Sequence, residues 1–245
     1  NARINGWTFI DIDSVDVGTY VENAKEHLAN NLTLPAGYSI TWAGQYEYME
    51  RAKEKLTYVL PLTLAIIVIL LYLNFRAFSE VAIIIVTLPM AMIGGLWLMY
   101  LEGFNFSVAV GVGFIALAGV AVEIGVIMLV YLNQALAELK EKAEERAEPI
   151  SDDAYQDALL HGAGLRVRPV MMTVATIIIG LMPILYGTGT GSEIMSRIAA
   201  PMVGGMTSAV LLTLIVLPVI YSIVKKPELN AFNKELSKAE LKSNA

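Results

Sequence analysis

The 245-residue sequence contains no cysteine, which excludes disulfides, thiolate metal sites and thiol nucleophiles within it. Charge is scarce too. Asp, Glu, Lys and Arg make up 16% of the residues, against roughly a quarter in soluble domains. The formal charge is −6 and no basic or aromatic-interleaved basic cluster is present, so nothing points to nucleic acid. Histidine is limited to His27 and His161; neither has a partner at ligand spacing, and both read as surface side chains. What fills the chain is apolar, 56% hydrophobic with a mean hydropathy of +0.60, the composition of a membrane protein. Eleven methionines leave soft thioether ligands available.

The hydrophobic residues gather into five runs long enough to cross a bilayer: Leu56 to Phe75, Val81 to Leu101, Phe106 to Tyr131, Pro169 to Thr190 and Ile198 to Val224. The expected helices are about 56–75, 81–101, 106–135, 169–190 and 197–224. Prolines 61, 89, 183, 201 and 218 fall in or near these runs and predict kinks rather than breaks, because neighbouring helices can satisfy the freed carbonyls. The pairs Gly94-Gly95 and Gly204-Gly205 are expected to act as two independent sites of close helix packing.

One charge interrupts the third run. Glu123 lies about 26 Å along the helix from Phe106, inside the apolar slab. An ionised carboxylate facing lipid there costs at least a few kcal/mol, so it should face the bundle interior or a water path, or bind a proton. Ala116 and Gly119 precede it on the same face, and Ala121 with Gly125 adds a small-xxx-small pair. Small residues permit the close helix partner that such a carboxylate needs. The plainer alternative is a structural carboxylate bonded to a neighbouring hydroxyl.

Residues 1–54 have a different character. Trp7 to Asp13 alternates like a strand, a helix is expected over roughly Val17 to Asn30, Leu34-Pro-Ala-Gly37 reads as a turn, and Tyr38 to Trp42 as a second strand. Such a β-α-β unit is too small to bury a core, so the sequence is expected to begin partway through a larger extramembrane domain. The polar helix Tyr46 to Lys55 should lead directly into the first span.

Lys and Arg distribution sets the expected orientation. Lys140, Lys142, Arg146, Arg166 and Arg168 lie between the third and fourth spans, with Lys225 and Lys226 after the fifth. These segments, loop 139–167 and tail 225–245, are expected to be cytoplasmic, and residues 1–54 periplasmic in a Gram-negative cell. Ser151 with Asp152 and Asp153 predicts a helix start, and Gly162 and Gly164 a helix end near His161. The mixed-charge stretch Glu138 to Glu148 reads as a solvated extension of the third span, and the tail as a frayed helix. Gly187-Thr-Gly-Thr-Gly191 looks like a phosphate loop, but no Lys-Ser/Thr follows and no strand precedes it, so it is assigned as a turn.

Several blocks carry a resemblance. AGQYEYMERA (43–52), GFIALAGVAVEIGV (113–126), HGAGLRVRPVMMT (161–173) and GTGTGSEIMSRIAAPMVGGM (187–206) resemble the C-terminal part of resistance-nodulation-division transporters. Within that family they are similar to the heavy-metal-efflux branch, and there to copper/silver pumps. The resemblance implies a transmembrane helical bundle over residues 55–224, preceded by the end of an α+β periplasmic porter domain. It also implies a homotrimer working with a periplasmic adaptor and an outer-membrane channel. The chain would correspond to the end of the second porter region and the last five helices. Without the N-terminal part of the same pump, it should not transport by itself.

Individual positions carry over. Glu123 matches an acidic relay position in the tenth helix of the family, where drug-pumping members have Lys. Arg166 and Thr173 match the Arg and Thr associated with the proton path at the start of the eleventh helix. Thr173 is about one turn inside Pro169, near the depth of Glu123, so a hydrogen bond between them is geometrically reasonable; Arg166 can equally be an interfacial anchor. Copper/silver pumps have Lys after the Arg-Pro of RVRP, whereas Val170 stands here, so this position supplies no basic partner to the relay. Met195 matches a methionine of the soft-metal path and suits Cu(I) or Ag(I), although methionine in an apolar helix is most often a packing residue.

The expected activity is therefore proton antiport exporting Cu(I) or Ag(I), with Glu123, Thr173 and Arg166 in the proton relay, no resident cofactor and no enzymatic conversion. The competing readings are a pump for other divalent metals or organic amphiphiles, and a membrane scaffold that transports nothing.

Overall fold

A computed structural model describes residues 6–12, 17–146, 148–189 and 191–243. The chain forms two compact units, Asn1–Ala65 with Asn105–Val108, and Ile66–Phe104 with Ala109–Ala245. The first contains α1 (Val17–Asn31) and the start of α2 (Gln45–Phe75). Between them Gly37 adopts a positive φ of 95° and the Tyr38 N–H bonds the Pro35 carbonyl at 3.2 Å, closing the expected turn. Lys25 donates to the Tyr46 hydroxyl at 2.6 Å and lies over its ring.

The expected strands are not formed. Among the described residues neither 7–12 nor 38–42 is a strand, and Asp13 lies outside the described residues. Two short strands with one helix cannot bury a sheet face, so the pairing has no packing to sustain it. Trp7, Phe9 and Tyr38 are accordingly exposed.

The second unit holds the end of α2 and α3 (Phe78–Leu101), α4 (Val108–Arg146) from Ala109 onward, α5 (Asp152–Leu185), α6 (Ser192–Leu211) and α7 (Leu217–Ser243). Among the described residues five helices are long and apolar enough to cross a membrane, α6 and α7 counting as one continuous rod. Prolines 61, 89, 169, 183, 201 and 227 lie inside continuous helices. Leu212–Val216 widens into a π turn, just where Pro218 lacks the N–H that would bond the Leu214 carbonyl.

Helix ends follow local chemistry. Ser151 caps α5 by accepting from the Ala154 N–H at 3.2 Å, with Asp152 and Asp153 in the first turn. Gly103, at φ 68°, ends α3, while the Phe104 N–H reaches the Met99 carbonyl at 3.0 Å. The expected helix end near His161 does not occur, and α5 runs through it. Gly162 is instead a contact point: a β-carbon there would come 2.8 Å from Ala135 Cβ and 3.2 Å from the Tyr131 carbonyl oxygen.

The two glycine pairs are not independent. A β-carbon on Gly94 would overlap the Gly204 carbonyl oxygen, and one on Gly204 would overlap that of Gly94. Backbone meets backbone between α3 and α6, and the Ser208 hydroxyl crosses the seam to donate to the Ala91 carbonyl at 2.6 Å. Nor is the tail frayed. Leu229 is fully buried, and the Asn233 carboxamide accepts from the Ile150 N–H at 3.0 Å and donates to its carbonyl at 2.9 Å.

Candidate functional site

Glu123 sits on α4 beside buried Ile124 and Gly125, but its own side chain is exposed. It continues a stripe of Val112, Ile115 and Gly119 at helical spacing, all uncovered in this chain. The opposite face of α4 enters the apolar cluster through Val110, Phe114, Leu117 and Ile124. Among the described residues the Glu123 carboxylate makes no hydrogen bond or ion pair.

The structure does not join Thr173 to Glu123. The Thr173 hydroxyl donates to the Pro169 carbonyl of its own helix at 3.1 Å, which leaves it no second proton to offer the carboxylate. Val170, where the resemblance expects Lys, is buried in the apolar cluster that includes Ile124 and Val174. Met195 is 56% exposed on the first turn of α6. Among the described residues no three His, Asp or Glu side chains gather at metal-binding distance.

Arg166 is placed differently. Its guanidinium carbon lies 3.7 Å from the centre of the Tyr131 ring on α4, and its Nε is buried without a hydrogen-bond partner. The side chain is half-buried and lies against α4.

A charged chain unmarked by the sequence reading ties three helices together beyond the apolar spans. Lys225 Nζ is 2.6 Å from Glu80 Oε1 and 2.8 Å from Glu228 Oε2, while Lys140 Nζ is 2.8 Å from Glu228 Oε1. Glu80 is 3% exposed. Nearby, Tyr221, fully buried, donates to Asn133 Oδ1 at 2.6 Å, and Tyr155 donates to the Ser222 carbonyl at 3.1 Å. The available signal was that Glu80 and Lys225 each stand immediately beside an apolar run, so antiparallel helices could bring them level. At the far end of the unit the Tyr186 hydroxyl donates to Glu102 at 3.3 Å and Arg197 lies over the Phe104 ring.

The sequence profile of the AcrB/AcrD/AcrF family matches residues 10–225. The chain belongs to this family. Among AcrB/AcrD/AcrF relatives, the putative cation efflux system protein SilA of Salmonella typhimurium is 48% identical over 224 residues, covering 91% of this chain and 21% of that protein. The cation efflux system protein CusA of Escherichia coli strain K12 is likewise 48% identical, over the same shares. A crystal structure of a heavy metal efflux pump superposes with a TM-score of 0.71 at 32% identity, covering 88% of this chain and 20% of that one. The chain thus spans about a fifth of the length of the relatives it matches. Its long apolar helices and its family make it a multi-pass membrane protein.

Proposed function

We propose that the chain is the C-terminal portion of the inner-membrane subunit of a proton-driven efflux pump exporting Cu(I) or Ag(I). The observation that carries this is the 48% identity to SilA and CusA along nearly the whole chain, against 32% for the cobalt-zinc-cadmium resistance protein CzcA of Cupriavidus metallidurans. Residues 1–54 are the end of the periplasmic porter domain, 55–224 the membrane bundle and 225–245 a cytoplasmic tail. The complete subunit forms a homotrimer with a periplasmic adaptor and an outer-membrane channel.

Proton uptake by Glu123 removes a charge from the apolar slab, so the two protonation states favour different helix arrangements, and metal movement is coupled to that difference. The exposed stripe carrying Glu123 is the surface on which the remaining helices of the pump pack. Arg166 and Thr173 belong to the same proton path, and Met195 offers a thioether to the passing metal. The test is Ag(I) uptake by vesicles containing the complete pump under an imposed pH gradient, comparing wild type with Glu123→Gln. Loss of transport with the trimer intact is expected. Wild-type transport by the variant would make Glu123 a structural carboxylate and refute the mechanism.

A further inference from the structure

Arg166 poses a problem that its sequence position does not solve. An interfacial anchor extends its head group to water, yet this side chain lies against α4 with Nε buried and unbonded. Three features of α4 and α5 account for that pose. Gly162 brings the helices together, since a β-carbon there would come 3.2 Å from the Tyr131 carbonyl oxygen. Arg166 follows Gly162 by four residues and therefore lies one turn further along the same face. The Tyr131 ring then meets the guanidinium face at 3.7 Å, within the range of a cation–π contact.

We infer that Tyr131 is a positioning residue for Arg166, holding the guanidinium flat against α4, the helix that carries Glu123. The ring occupies one face of the guanidinium and asks for no proton, so the edge N–H groups stay free to donate to a carboxylate. A planar cation stacked this way cannot be replaced by Lys without losing the platform. Tyr131 is eight residues beyond Glu123, about 12 Å along the helix, so it sets the position of Arg166 on that helix without touching the carboxylate.

This role rests on the proton-antiport reading, and the experiment separates the two. Ag(I) transport by vesicles containing the complete pump is measured for Tyr131→Leu, Tyr131→Phe, Arg166→Lys and the Tyr131→Leu/Arg166→Lys pair. Tyr131→Leu is expected to lower the maximal rate roughly 3- to 10-fold, with half-maximal Ag(I) unchanged. Tyr131→Phe, which keeps the ring face and loses only the hydroxyl, should retain the wild-type rate. The double variant should be no slower than Arg166→Lys alone. A Phe variant as slow as the Leu variant, an additive double variant, or a Leu effect on half-maximal Ag(I) alone overturns the positioning role. Should Tyr131→Leu fail to assemble, Tyr131→Met is measured in its place with the same expectations. Wild-type transport by Arg166→Lys overturns both this role and the place of Arg166 in the proton path, whereas normal transport by Glu123→Gln overturns the antiport mechanism itself.

Discussion

Lys225 Nζ, on the first polar turn after the last apolar run, lies 2.6 Å from the carboxylate of Glu80 at the start of α3. The two partners do not stand equally without each other. If Lys225 becomes Met, buried Glu80 keeps the Ser79 hydroxyl at 2.8 Å and its own backbone N–H but no cation, and an uncompensated buried charge costs about 3–5 kcal/mol. If Glu80 becomes Gln, Lys225 still has Glu228, and the loss should be nearer 1–3 kcal/mol. Thermal unfolding in detergent should therefore rank Lys225→Met below Glu80→Gln, with the double variant recovering part of the loss. Equal losses, or additive ones, would show that the pair is not coupled.

Gly94 and Gly204 supply a second contrast. Each carbonyl oxygen occupies the space where the other residue's β-carbon would be, so neither side can yield by rotating a side chain. Gly94→Ala and Gly204→Ala should each destabilise by about 1–3 kcal/mol or more. Gly180→Ala, which meets nothing within 4 Å, should be neutral or stabilising by about 0.5–1 kcal/mol through helix propensity. Indistinguishable unfolding midpoints for the three variants would rule out the α3–α6 seam as described.

These contacts show which features were legible in the sequence. The membrane helices were, because unbroken apolar length is a local property, and so was the Ser151 cap. Gly94 facing Gly204 was not, since the register of helices more than a hundred residues apart leaves no local trace. Gly162 was read as a helix end because nothing local distinguishes a stopping glycine from one that admits a neighbouring helix. The strands followed a correct alternation, but alternation without further strands to pack against forms no sheet. Glu123 stood out as a lone charge in an apolar run; Glu80, Lys225, Glu228 and Lys140 did not, because their meaning depends on three helices meeting. The docked tail was hidden likewise, since its polar spacing conceals the two residues, Leu229 and Asn233, that find partners.

Glu228 gives the bundle an acid-sensitive attachment beyond the apolar runs. The Lys140 hydrogen bond, and then that of Lys225, hold its carboxyl below the usual carboxylate range. A carboxyl with a depressed folded-state pKa contributes stability that is fully present above the unfolded value of about 4.3 and lost as pH falls through the folded one. The side chain is 49% exposed, so the contribution is small, within about 1 kcal/mol. Unfolding midpoints should be level from neutral down to about pH 5 and then fall, with a shallower fall in Glu228→Gln. Identical acid limbs for wild type and variant would mean that the two lysines contribute nothing at this position.

Asn233 closes a miniature ladder with Ile150, accepting from its N–H and donating to its carbonyl across 83 residues of sequence. Ile150 is buried and directly precedes the Ser151 cap of α5, so the backbone at the start of that helix is fixed by a side chain from α7. Asn233→Ala removes both bonds and leaves a buried amide and carbonyl unpaired, a cost of about 1–3 kcal/mol. Asn233→Asp keeps the acceptor for the N–H but sets a carboxylate oxygen against the carbonyl, so it should not rescue the loss. Because the bond pair is local, the effect should be local. Hydrogen exchange at Ile150 should quicken in Asn233→Ala while amides along α3 and α6 keep their wild-type rates. Acceleration throughout the bundle would instead mean that the tail supports the whole helical unit, and an unchanged Ile150 amide would mean that Asn233 does not hold the start of α5 at all.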